Sequence, residues 1–177
     1  TKELAELACD IEINRLKEPI GKQDQYAAAF GGLNFYEFRK DGRVRVESLW
    51  NSRNDNQSIF DSSILFWTGL QRKAEDILSE QQKNIPDRID SLIEMSKLAI
   101  RCREVILNSE KLVSEVGDII NMSWIHKRNF ASTISSDLLD DGVARAINSG
   151  ALGSKIAGAG GGGFLYVLAR KVDQEKV

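Results

Sequence analysis

Leu4, Leu7, Ala8 and Ile11 recur at helical spacing, so the apolar pattern predicts an amphipathic helix over 1–13. The pattern breaks over 15–25, where Pro19 and Gly21 mark a loop. A short apolar turn at 26–30 follows and stops at Gly31-Gly32. The runs 33–38 and 44–49 carry Phe35, Tyr36, Val44 and Val46, residue types that suit a pleated, half-buried surface. Between them, Asp41-Gly42 predicts a hairpin closed by a two-residue type I′ turn, with positive φ at both positions. Residues 51–58 are polar and read as a linker, and 64–67 read as a short buried strand. From Leu70 the pattern is mainly helical. LQRKAEDILSEQQ predicts a helix ending near Asn84, and Pro86 opens another whose apolar face carries Ile89, Leu92, Ile93, Ser96 and Ile100. Further helices are predicted over 109–121, around Trp124 and over 137–148, the last with Gly150 as its C-cap. Residues 155–157 and 164–168 read as two closing strands. Helices and strands do not alternate regularly, which favours an α+β fold over a doubly wound parallel sheet.

The closing strands are joined by GAGGGG, that is Gly158, Ala159, Gly160, Gly161, Gly162 and Gly163. Gly158, Gly160 and Gly163 satisfy GxGxxG as letters, but a dinucleotide fingerprint opens a helix and here FLYVL follows. The P-loop pattern fails too, because no Lys-Ser or Lys-Thr pair closes the run. Glycine in regular structure costs about 0.5–1 kcal/mol relative to alanine, so five exceed what a simple turn needs. The remaining use is close backbone approach, either to a ligand or to another segment of the chain.

Composition narrows the field. The 177 residues suffice for one ordinary domain or two small ones. Hydrophobic and charged fractions of 42% and 28% are those of a globular protein in water. A formal net charge of −2 gives no basic surface for general nucleic-acid binding. Cys9 and Cys102 sit in helical patterns without CxxC spacing and read as reduced thiols; the lone His126 builds no metal cluster. There is no membrane-length apolar run and no signal-peptide pattern, so no membrane partner is expected and the cytoplasm is the expected compartment. The chain opens on Thr1, already inside a helical pattern, and is expected to begin partway through a longer protein.

The other informative stretch is KEPIGKQDQYAAAFGG, residues 17–32. It sets Asp24 between two glutamines, with Lys22 two residues away, directly before a small-residue turn. Such a carboxylate can be a base, a metal ligand or a helix cap, and either Asp24 or Gln23 could cap the 26–30 turn.

GKQDQ followed by AAAFGG, with a distant KIAGAGGGGF, resembles the galactokinase, homoserine kinase, mevalonate kinase and phosphomevalonate kinase (GHMP kinase) superfamily. IEINRLKEPIGKQDQYAAAFGGLNFYEF, LFWTGLQRKAEDIL and GALGSKIAGAGGGGFL are similar to its sugar kinases acting on D-glycero-D-manno-heptose 7-phosphate. The resemblance implies ATP and Mg²⁺ as cofactors, a small sugar phosphate as partner and the anomeric hydroxyl as acceptor. A fucose- or galactose-type kinase, or a non-catalytic sugar- or nucleotide-binding module, is the alternative. Asp24 matches the family's catalytic base or acceptor-orienting aspartate, and Glu12, by its place upstream, a Mg²⁺-holding carboxylate. Gly158 to Gly163 match the third family motif, near the nucleotide phosphates and substrate. Lys22, Gln23, Thr68 and Arg72 match segments on the substrate side, and Arg72 and, more weakly, Lys127 are candidates for a sugar phosphate. Lys155 lies at the entrance of the glycine motif with no role assigned. The family's main ATP loop, of Pro-x-x-x-Gly-Leu-Gly-Ser-Ser type, is absent. The resemblance therefore implies the end of an N-terminal domain over 1–50 (helix plus hairpin) and an α+β C-terminal domain over 51–177, helices on an antiparallel sheet. It also implies that these residues alone are inactive.

Overall fold

The computed structural model describes residues 1–50 and 56–177. The chain divides into two compact units, Thr1–Asn54 and Asp55–Val177. The expected linker and domain boundary fall at 51–55, outside the described residues; the remainder of the polar run is not loop, since Gln57–Asp61 is helical.

In the first unit, helix α1 (Lys2–Cys9) runs into a π-helical segment, Asp10–Arg15, whose wider turn shows in the bond from Leu16 N–H to the Ile11 carbonyl at 2.9 Å. Helix α2 (Gln23–Phe30) follows, ended by Gly31 at φ 63°. Strands β1 (Asn34–Phe38) and β2 (Val44–Ser48) then form the antiparallel hairpin. Its turn differs from the expected type I′. Gly42 has φ 83° but Asp41 does not reach positive φ. Gly42 N–H bonds the Arg39 carbonyl at 3.0 Å and Arg39 N–H bonds the Arg43 carbonyl at 2.9 Å. That is a three-residue loop, a type I turn closed by a glycine in the left-handed region. The Asp41 side chain accepts from Arg43 N–H at 3.0 Å, which holds Asp41 in the ordinary region.

Tyr26, 1% exposed, centres the first core. Its ring stacks on Phe30 at 5.9 Å and meets Tyr36 and Phe38 edge-on at 6.4 and 6.2 Å. Helix α1 contributes Ala5 and Cys9 to this core, while Leu4, Leu7 and Ile11 are exposed, so the expected apolar face is not the one buried in this unit. Small side chains let α1 approach the Tyr26 ring closely, and that selects the Ala5–Cys9 stripe.

In the second unit, α3 (Gln57–Asp61) leads into β3 (Ser63–Trp67). Helices α4 (Ala74–Asn84), α5 (Ile89–Asn108), α6 (Leu112–Lys127) and α7 (Asp137–Asn148) precede strands β4 (Gly153–Ile156) and β5 (Phe164–Leu168). The sheet order is β3-β5-β4, antiparallel throughout. The α+β class holds, with helices packed on an antiparallel sheet. Ile156, Leu165 and Val167 of the sheet pack with Trp124, Phe130, Ile134, Leu139 and Ala146. Among the described residues, no helix is long and apolar enough to cross a membrane.

Several expectations shift here. Strand β3 forms but is not buried: it lies at the sheet edge, with Leu65 58% and Trp67 51% exposed. Helix α4 starts at Ala74 rather than Leu70: the backbone is still extended at Lys73, with ψ 120°, and the Leu70 carbonyl accepts instead from Gly163 N–H at 2.9 Å. Helix α5 turns Leu92 and Met95 to the core and leaves Ile89, Ile93 and Ile100 exposed. The segments expected at 109–121 and around Trp124 are one helix, α6. Helix α7 ends as expected: Gly150, at φ 109°, bonds the Ile147 carbonyl and Ala151 N–H bonds that of Ala146, a Schellman motif. Both cysteines are free thiols, raised above the ordinary range chiefly by burial.

Candidate functional site

The glycine loop spans the gap between β4 and β5, and all five glycines have positive φ, from 70° at Gly158 to 150° at Gly162. A Cβ on Gly160 would stand 2.9 Å from the Ile134 carbonyl oxygen, on Gly161 2.9 Å from that of Thr133, and on Gly162 2.6 Å from that of Leu70. Close approach to other backbone therefore accounts for the three central glycines. Gly158 has open space around it. The loop is fastened from outside. Gly161 N–H donates to the Ile134 carbonyl at 2.7 Å and Gly163 N–H to that of Leu70 at 2.9 Å. The Thr68 hydroxyl and N–H both donate to the Gly163 carbonyl, at 2.8 and 2.9 Å, and Lys127 Nζ donates to the Gly158 carbonyl. Among the described residues, no protein acceptor is bonded to the N–H groups of Gly158, Ala159, Gly160 or Gly162. Those are the donors an anion could use.

Beside Gly161 opens a cavity of about 540 Å³ lined by Arg72, Lys73, Asp76, Ile77, Glu80 and Thr133. Two cations thus stand where the loop meets α4. The Glu80 carboxylate accepts from Ser132 N–H at 2.7 Å, the Ser132 hydroxyl at 2.9 Å and the Thr133 hydroxyl at 2.9 Å. These bonds, the backbone one first, hold it below the usual glutamate range. The structure therefore brings Thr68, Arg72 and Lys127 to the glycine loop. Lys155 is elsewhere, on β4 opposite Tyr166, where burial pushes its ammonium below the ordinary lysine value beside Cys102.

In the first unit, Lys22, Gln23 and Asp24 start α2, with Lys22 at the N-cap. No side chain caps this helix, so Asp24 and Gln23 do not serve as caps. Asp24 is exposed in the first turn, and among the described residues it has no hydrogen-bond or ion-pair partner. Its neighbour Gln25 points inward: Nε2 donates to Glu12 at 2.7 Å, while its buried Oε1 is unpartnered. Glu12 thus ties the π-helical segment to α2. Lys22 Nζ donates to the Gly42 carbonyl at 3.3 Å. Lys22 and Gln23 line a second cavity, of about 490 Å³, with Arg39, Lys40 and Arg43.

Among the described residues, no group of three or more His, Cys, Asp or Glu could hold a metal ion. One carboxylate, Glu12, fits the Mg²⁺ mode in which phosphates and water supply most ligands, not an all-protein cage. The four unbonded N–H groups of the loop fit a phosphate. Glu80, Asn84, Ser132 and Thr133 were not singled out in the sequence, since their contacts span 46–53 residues and follow no local pattern.

Residues 108–177 match the family model "GHMP kinases C terminal". That segment is similar to GHMP kinase C-terminal domains. The D-glycero-alpha-D-manno-heptose 7-phosphate kinase of Campylobacter jejuni is 32% identical over 166 residues, covering 93% of this chain and 48% of that protein. The mevalonate kinase of Thermococcus sibiricus is 33% identical over 159 residues, 86% of this chain and 44% of that protein. Among solved structures, a D-glycero-D-manno-heptose 1-phosphate kinase from Bacteroides thetaiotaomicron superposes with a TM-score of 0.68 at 27% identity, covering 97% of this chain and 45% of that one. The chain therefore spans about half the length of the relatives it matches.

Proposed function

We propose that these residues form part of an ATP-dependent sugar kinase that phosphorylates the anomeric hydroxyl of a heptose 7-phosphate. The observation that carries the reading is the glycine loop, fastened by Thr68 at Gly163 and flanked at Gly161 by Arg72, which lines a cavity with Lys73, Asp76 and Glu80. Phosphoryl transfer asks a protein mainly for positioning and charge stabilisation, and those are what such a cluster supplies. In this reading the unbonded N–H groups of the loop meet phosphate oxygens, and Arg72 holds the acceptor's own phosphate. Asp24 takes the proton of the acceptor hydroxyl as that oxygen bonds the terminal phosphorus of ATP and ADP leaves. Its freedom from any cap or ion pair suits that role. Lys22 and Gln23 flank the acceptor. Mg²⁺, held by Glu12 with phosphates and water, would neutralise charge on the transferring group.

The main ATP loop implied by the resemblance is not in these 177 residues, so turnover is expected of a protein that supplies it alongside them. The test is ADP release by such a protein against heptose 7-phosphate, heptose 1-phosphate, fucose, galactose and mevalonate. A clear preference for the heptose 7-phosphate is expected. Preference for mevalonate would move the acceptor to the other group of matched relatives, and binding without turnover on any substrate would leave a binding module.

A further inference from the structure

We infer that Glu80 is a positioning residue for the glycine loop, acting through the irregular segment 130–134. The loop has no side chain beyond the Ala159 methyl and cannot hold its own shape; positive-φ glycines are free to adopt many others. Its central fastening is the bond from Gly161 N–H to the Ile134 carbonyl, 2.7 Å. That carbonyl belongs to a segment between α6 and α7 with neither helix nor strand hydrogen bonding. Two side chains of α4 hold the segment. Glu80 accepts three hydrogen bonds from Ser132 and Thr133, and Asn84 Nδ2 donates to the Phe130 carbonyl at 2.9 Å. Ile77, three residues before Glu80, reaches within 2.6 Å of where a Gly161 Cβ would stand. Ile77, Glu80 and Asn84 follow i, i+3, i+7 spacing, so one face of α4 braces both the segment and the loop.

The chemistry of Glu80 fits a staple and not a base or a ligand. Both carboxylate oxygens are engaged by neighbouring donors. Arg72 and Lys73 line the same cavity, yet among the described residues no cation pairs with Glu80. A carboxylate bonded to a loop N–H and two hydroxyls fixes that loop's register more firmly than a neutral acceptor would.

The phosphate role of the loop rests on the proposed kinase; the positioning role does not. Amide hydrogen exchange on the 177-residue chain separates them. Glu80→Ala is expected to speed exchange at Gly161 by about tenfold or more, and to leave Ser154 N–H, held by Asn121, within about twofold. Glu80→Gln, which keeps an acceptor for Ser132 N–H, is expected to restore most of the protection. Thr133→Val removes one of the three bonds and leaves Glu80 intact; it should accelerate the same amide by a smaller factor, and it reads the coupling where Glu80→Ala does not fold. Gly161 exchange within about twofold of wild type in the folded variants overturns the proposal. In a protein that also carries the ATP loop, Glu80→Ala is expected to raise KM for ATP more than it lowers kcat. A Gly161 response with KM unchanged keeps the positioning role and removes the loop from the nucleotide site.

Discussion

The two motifs that stand out in the sequence are treated in opposite ways by the fold. The glycine loop is fastened to its surroundings by Ile134, Leu70, Thr68 and Lys127. Asp24, in GKQDQ, is fastened by nothing but its place on α2, whose Tyr26 builds an aromatic core. In the proposed kinase the difference would follow from what each has to supply. A loop that offers backbone N–H groups must have them aimed beforehand, since glycine supplies no preference of its own. A carboxylate that accepts a proton must instead be left without a partner that would occupy it, while its helix stays firm. Tyr26 and Gln25, both buried beside Asp24, provide that firmness.

The largest expected effect falls on the free side of this contrast. Asp24→Asn should lower kcat by about 10²–10⁴ in a protein that carries the ATP loop, with ATP affinity kept. Near-normal turnover would remove Asp24 from the chemistry. On the fastened side, Gly162→Ala should destabilise the protein by about 3 kcal/mol, since it adds left-handed strain to overpacking against the Leu70 carbonyl. Gly158→Ala meets only the strain and should cost about 1–2 kcal/mol. Equal losses in urea melts would show that the loop is not held as described. Between these two lies Gly117→Ala. Its Cβ would stand 2.7 Å from the Leu152 carbonyl oxygen, where α6 meets the start of β4, and about 1–3 kcal/mol is expected from denaturant midpoints.

The smallest effect is on pH. The Glu80 carboxyl is lowered in the folded state, so its contribution to stability is present above the ordinary glutamate range and is lost as pH falls through the folded value. Thermal melts of wild type and Glu80→Gln should therefore differ near neutrality and converge in acid. Divergence on acidification would contradict the sign.

The first hairpin, α7 with its glycine stop, and the pair of strands around the glycine run could be read locally, because turn chemistry and short-range periodicity specify them. Burial was harder to read. Leu4, Leu7 and Ile11, and Ile89, Ile93 and Ile100, satisfy helical spacing as well as the residues that are buried. Periodicity marks an apolar stripe but not which stripe meets a partner, and adjacent stripes differ by a single residue. The turn at Asp41 was misjudged for a similar reason: Asp-Gly permits two turn types, and the bond from Arg43 N–H to Asp41 settles which.

The chain's residues already specified the special backbone around residues 158–163, which is local, the α+β class, through the order of elements along the chain, and the candidate carboxylate Asp24, through the pairing of its motif with the glycine run. Packing alone decided that the central glycines lie against Leu70, Thr133 and Ile134, and that Glu80 reaches Ser132 across 52 residues of sequence. Glycine reports only that space is needed; what fills the space is set by whichever segments the core brings together.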